Sequence, residues 1–212
     1  MKNSKVSKED FERIAGRYFP SEALDYAWFY FEENHFSFKI VPPRNTKKGD
    51  FKYSKNPLKM PVITVNNNLC NYDFLLVYIH ELAHYMVFRH HDIFKVKSHG
   101  PEWRQFFKEL LQNLVNEVPL PEDISTAFLN YSNRIKSSTA ADYELETALD
   151  RYREKPDHIV YLKSLQVGDR FSLRGQLFRV DSFARTRAKC TLEGTRKKYL
   201  ISAMMNVEKI NH

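Results

Sequence analysis

The sequence is poor in cysteine. Only Cys70 and Cys190 occur among 212 residues, and two cysteines so far apart exclude a disulfide framework. The same shortage excludes a zinc ribbon, whose four ligands come in CxxC-type pairs. Two lone thiols suit a reducing compartment, and each reads most simply as a small buried hydrophobe. A long apolar run is missing too. The most apolar stretch, Phe74 to Phe88, is interrupted by His80, Glu81 and His84 and is too short to span a bilayer. Met1 to Pro20 is charged and lacks the apolar core and small-residue cleavage site of a signal peptide. The expectation is a soluble, cytoplasmic protein with no membrane partner.

What is present is an ordinary globular composition. Hydrophobic residues make up 42% and charged residues 28%, too apolar for a disordered chain. The length suits one domain plus a small module. The formal net charge is +7, and it is unevenly placed. From His158 onward eleven Lys and Arg face four Asp and Glu, so this last quarter carries the whole excess. The rest holds 22 of each sign and balances. Inside that balanced part, Lys39, Arg44, Lys47, Lys48, Lys52, Lys55 and Lys59 meet a single acid, Asp50. The stretch Glu122 to Asp157 is acid-rich instead.

Hydrophobic spacing divides the chain further. Phe11, Ile14, Tyr18, Leu24, Trp28 and Phe31 recur at three-and-four intervals, predicting two short helices parted near Pro20-Ser21. Phe36, Phe38 and Ile40 alternate with polar residues, predicting a half-buried strand that ends at Pro42-Pro43. Lys48-Gly49-Asp50 reads as a turn into Phe51-Lys52-Tyr53, and Val62 to Val65 reads as another strand. Asn71 or Asp73 is placed to cap a long helix running to about Phe88. Pro101 suits the first turn of a second helix, Glu102 to about Val118. Glu122 to Asp157 is weakly helical, with a hinge expected at Lys136-Ser137-Ser138-Thr139. From His158 the period becomes two, with strands at Ile159–Leu162, Arg170–Leu173, Gln176–Phe183, Arg187–Leu192 and Lys198–Met204. Turns fall at Arg174-Gly175 and Glu193-Gly194. So many short strands in so few residues predict a small β-barrel.

The strongest chemical signal is His80-Glu81-Leu82-Ala83-His84, an HExxH motif in mid-helix. Four residues advance an α-helix by about 400°, so His80 and His84 sit one turn apart on one face. Two imidazoles so placed can share a Zn²⁺ ion. Glu81 lies about 100° round from His80, beside that face but outside the ligand row. That position suits a general base for metal-assisted hydrolysis.

A hydrolytic zinc site needs a third protein ligand and an open position. His90, His91, His99 and Glu102 are the candidates. His90 lies about 240° from His84 on an unbroken helix, on the wrong face. His91 reads equally well as a solvated histidine at a helix end. Glu102 lies eighteen residues past His84, at a spacing known from glutamate-ligated zincins, but Phe106 stands where those enzymes carry a further acid. His99 is the better choice. It stands fifteen residues after His84, immediately before the second helix, with Gly100 allowing close backbone approach.

His80-Glu81-x-x-His84 followed by His99-Gly100-Pro101-Glu102-Trp103 resembles the SprT-like metalloproteases, including the Spartan-type proteases that degrade proteins crosslinked to DNA. Val62-Ile63-Thr64-Val65-Asn66 and Leu69 also resemble the strand and loop that enter the family's active-site helix. The resemblance covers roughly Phe11 to Glu117. It implies a zincin-like fold, one Zn²⁺ held by His80, His84 and His99, and Glu81 as the catalytic glutamate. Many bacterial members carry a four-cysteine zinc ribbon after this domain. Here a basic β module stands in that place.

In the strand expected around Arg185-Thr186-Arg187-Ala188-Lys189-Cys190, the three cations fall two apart and share a face, while Ala188 and Cys190 point inward. Arg196, Lys197 and Lys198 extend the cluster, and Tyr199 and Phe183 are placed to stack on bases. Such a face suits sequence-independent contact with DNA or RNA phosphates. The Arg44–Lys59 segment is placed to line the cleft, and Tyr85 and Trp103 read as core. The expected architecture is therefore α+β. A zincin-like catalytic domain spans residues 1–120, an acidic helical connector 121–157, and a basic SH3-like β-barrel 158–212. The expected activity is zinc-dependent peptide hydrolysis of a protein substrate. The other reading is a non-catalytic nucleic-acid-associated protein with a structural zinc site.

Overall fold

The computed structural model describes residues 6–56, 58–134, 142–154, 156 and 158–210. The chain divides into two compact units, Met1–Arg153 and Glu154–His212. The expected hinge at 136–139 lies outside the described residues.

The first unit opens with helix α1 (Lys8–Ala15), whose first turn is capped by the Ser7 side chain. A short 3₁₀ turn, Ser21–Ala23, leads into α2 (Leu24–Glu32). Strands β1 (Ser37–Val41), β2 (Gly49–Lys52) and β3 (Val62–Asn66) form one sheet in the order β1-β3-β2. β3 runs parallel to β1 and antiparallel to β2. Residues of the central strand are buried on both sides, from Ile63 to Asn66. Helix α3 (Asn71–His90) packs on this sheet, and α4 (Pro101–Glu117) packs on α3.

The core is largely aromatic. Phe11, Phe19, Phe31, Phe38 and Tyr78 are fully or almost fully buried, with the Phe19 and Phe38 rings each 5.2 Å from Tyr78. Such ring pairs add directional contacts to the area they bury. α3 runs through this core with little water on any side, which explains its near-continuous apolar sequence. Neither Asn71 nor Asp73 caps it: the cap position is Cys70, and no side chain closes the turn. Asn71 donates instead to the Phe19 carbonyl, and Asp73 is held by Arg153 and Lys48.

Two helices follow, α5 (Glu122–Asn133) and α6 (Tyr143–Asp150). They occupy the stretch expected to be a connector. Ile124, Phe128, Tyr131, Leu145 and Leu149 are buried in the same core cluster as α1 to α4. Their apolar faces therefore complete the first unit.

The second unit is a six-stranded antiparallel sheet. Its strands are β4 (Ile159–Tyr161), β5 (Arg170–Leu173), β6 (Gln176–Phe183), β7 (Arg187–Leu192), β8 (Lys198–Ser202) and β9 (Asn206–Lys209). Their order is β4-β9-β5-β6-β7-β8. The β5–β6 hairpin turns through Arg174 and Gly175, both with positive φ, which matches the twist of the flanking strands. Phe171, Phe178, Val180, Ala188 and Cys190 make its core. Among the described residues no pairing joins β8 to β4, so the sheet is open and the expected SH3-like barrel is not closed. The chain turns after Ser202 and places its last strand between β4 and β5, which leaves β8 at an edge.

Candidate metal centre

His80 and His84 project from one face of α3, as the helical period requires. His99 reaches them from the segment before α4, where the Gly100 N–H donates to the Lys97 carbonyl and tightens the turn. The His99 Nε2 atom lies 3.2 Å from His80 Nε2 and 3.2 Å from His84 Nε2. Three imidazoles sharing a tetrahedral zinc at about 2.0–2.1 Å would hold their nitrogens about 3.3 Å apart. The spacing fits. An imidazole nitrogen is either donor or acceptor, so three converging on one point cannot all satisfy one another by hydrogen bonds. A cation satisfies all three.

Their protonation suits the same role. Burial, then the charges of His84 and His99, lowers His80 to about 3. Burial, then His99, lowers His84 to about 4. Burial and the nearby Arg104 lower His99 as well. Neutral rings present lone pairs, which metal ligation needs. Trp103 sets the back wall. It is fully buried, its ring centre lies 4.6 Å from both His80 and His99, and its indole N–H donates to the His80 carbonyl. Trp103 and Tyr85 are core, as expected. The Tyr85 hydroxyl accepts from the His35 backbone N–H at 2.9 Å and from Arg89.

Glu81 is 7% exposed and faces β2 rather than the ligand row. Burial, with help from the Asp50 carboxylate, pushes it up to about 8, while Arg44, Lys47 and the Phe51 backbone pull the other way. Gly49 explains how the carboxylate fits. A Cβ at Gly49 would stand 2.6 Å from Glu81 Oε1 and 2.5 Å from Val77 Cγ1. Lys48-Gly49-Asp50 reads as a turn in sequence, but Gly49 and Asp50 lie inside β2, and the glycine serves close approach. A cleft of about 540 Å³ opens here, lined by the three histidines, Glu81 and residues of β2.

The competing ligands lie elsewhere. His90 and His91 both pack against the Phe106 ring, and Glu102 sits beside Gly100. Among the described residues, the group able to hold a metal is His80, His84 and His99. Of the basic Arg44–Lys59 segment, Lys47 lines the cleft, whereas Lys48 turns away to Asp73.

Set against known protein families, residues 8–123 match the SprT-like family. The chain belongs to the SprT-like family. The match in this SprT-like chain contains all three histidines, Glu81 and Gly49, and it ends within α5. Comparisons with curated proteins and with solved structures return no match. No helix among the described residues is long and apolar enough to cross a membrane.

The cations expected in the second unit are all exposed. Arg187 and Lys189 are exposed while Ala188 and Cys190 are buried, so β7 alternates as its sequence predicts. Arg185 lies in the bend before the strand, Arg196 and Lys197 in the turn after it, and Lys198 opens β8. Cross-strand register adds two residues that linear reading missed. Arg170 pairs with Arg179, Arg179 with Thr191 and Thr191 with Lys198, which places three cations in one row across four strands. Paired residues share a face. Their sequence separation hides the row, though each is polar within an alternating strand.

Two further residues escaped sequence reasoning. Asp73 accepts from Arg153 Nε and Nη2, at 2.5 and 2.8 Å. Lys48 Nζ lies 3.1 Å from the same carboxylate, and Glu146 binds Arg153 from the other side. Nothing in either local sequence signals a partner eighty residues away.

Proposed function

We propose that this protein is a zinc-dependent endopeptidase of the SprT-like type. The observation that carries the reading is the convergence of three imidazole nitrogens beside a buried glutamate that is not one of the ligands. When bound, zinc supplies Lewis acidity toward the scissile carbonyl and toward water. Glu81 takes a proton from the attacking water as its oxygen bonds to the carbonyl carbon. It then returns that proton to the nitrogen as the C–N bond breaks.

β2 supports the choice of an extended peptide as substrate. It pairs with β3 on one side, lies at the sheet edge and lines the cleft. A substrate segment can add to that edge through backbone hydrogen bonds, which makes recognition weakly dependent on side chains. The basic outer face of the second unit suits docking on a nucleic-acid backbone, so that proteins associated with DNA or RNA become the substrates.

The alternative, a non-catalytic nucleic-acid-associated protein with a structural zinc, calls for a closed set of four ligands. The metal-ligating group among the described residues contains three, and a structural site has no use for Glu81. The deciding experiment compares wild type with Glu81→Gln, each with and without DNA. Zinc content should stay at one ion while peptide hydrolysis falls at least about a hundredfold. Undiminished hydrolysis in the variant would overturn the mechanism.

A further inference from the structure

The lining of the cleft beside the histidines includes apolar residues that proton transfer does not use. Val87 follows His84 by three positions on α3, and Val96 precedes His99 by three, so apolar side chains flank the ligands on both elements. Ile93 joins them in the wall, and Phe51 and Tyr53 face them from β2 and its exit. This β2 side is braced. The Phe51 and Tyr53 rings stack 6.1 Å apart, and both lean on Phe88, at 5.9 and 5.3 Å. Close to these lining residues in sequence, Lys55 Nζ lies 5.4 Å from the Phe94 ring, which itself is 71% exposed. The acid on this side, Asp50, is occupied by Lys47 at 2.9 Å and Lys52 at 3.5 Å.

We propose that these five residues form a side-chain subsite that takes a large aliphatic or aromatic side chain next to the bond being cleaved. The inference rests on the hydrolase reading above and names the substrate side chain for it. Three observations support it. The cleft volume of about 540 Å³ accommodates a large side chain beside a peptide backbone. Its apolar wall sits against the metal ligands, where a bound peptide would cover it and remove that surface from water. Asp50 is already shared by Lys47 and Lys52, so a cationic side chain would have to compete with two lysines for the one acid of β2.

Binding and cleavage are separable in the test. The zinc-loaded full chain is titrated by calorimetry with glycine, leucine and phenylalanine hydroxamates, whose shared headgroup ligates zinc and whose side chains differ. Leucine and phenylalanine hydroxamates should bind about tenfold or more tightly than the glycine compound. Val96→Ser and Ile93→Ser should each narrow that ratio. Equal affinities across the series, or no binding by any member, would overturn the subsite. Hydrolysis of a mixed peptide library by the same preparation tests the underlying reading separately. Cleavage together with equal hydroxamate affinities leaves the hydrolase standing without its subsite. Hydroxamate discrimination with no cleavage overturns the hydrolase reading and the substrate subsite with it, and leaves only an apolar ligand pocket beside the metal.

Discussion

Gly49 and Glu81, thirty-two positions apart, sit so close that a single methyl group on the glycine would come within 2.6 Å of the carboxylate oxygen. β2 thus forms the wall against which the glutamate is seated. Gly49→Ala should leave the three histidines and their metal in place while displacing Glu81. A shift of about 1 Å at a reacting group can cost about a hundredfold in rate. Metal content near one ion with kcat lowered by that order, and KM little changed, is the expected result.

His99 completes the metal site from outside the HExxH helix. His99→Ala should lower zinc stoichiometry at fixed free metal, whereas His90→Ala and His91→Ala should not. Trp103 offers a second readout, since its ring touches His80 and His99. Zinc titration should change its emission in the wild type. The change should be absent from Trp103→Phe, where Trp28 is the remaining indole.

The Asp73–Arg153–Glu146 cluster should contribute stability that depends on acid. Burial alone would raise Asp73, but hydrogen bonds from Arg153 and the charge of Lys48 hold it well below the usual carboxylate range. A lowered folded-state pKa gives stability that is fully present above the unfolded value, near pH 4, and is lost as pH falls through the lower folded value. Denaturant unfolding between pH 7 and pH 2 should show that loss, and Asp73→Asn should flatten it. At pH 7, Asp73→Ala should cost about 3 kcal/mol, because Arg153 keeps Glu146 but loses its second buried partner.

On the second unit, reversing Arg179, Arg187 and Lys189 to Glu should weaken binding to double-stranded DNA. It should also reduce the slope of log affinity against log salt by roughly one for each phosphate contact removed. Fluorescence anisotropy across a salt series measures both. Binding by the wild type that does not vary with salt would remove the nucleic-acid reading, whatever the outcome at the metal centre.

The sequence by itself determined the local geometry. The period of an α-helix places His80 and His84 on one face, and the period of a strand places Arg187 and Lys189 opposite Ala188 and Cys190. Both relationships span at most a turn or two of regular structure, so spacing alone encodes them. His99 was also legible, since its candidacy depends on chain order and on the helix that starts beside it. Tertiary structure decided the rest. Gly49 reads as a turn residue until β2 docks on α3 and shows what its missing side chain makes room for. Asp73 reads as a helix cap until α6 brings Arg153 across eighty residues to claim it. Helices α5 and α6 look like a connector because their apolar residues are sparse, yet those few residues fill the same core as α1 to α4. The row Arg170–Arg179–Lys198 and the open edge at β8 depend on strand order and register. Those are set by which surfaces bury best against each other, a property of the folded whole that no local spacing contains.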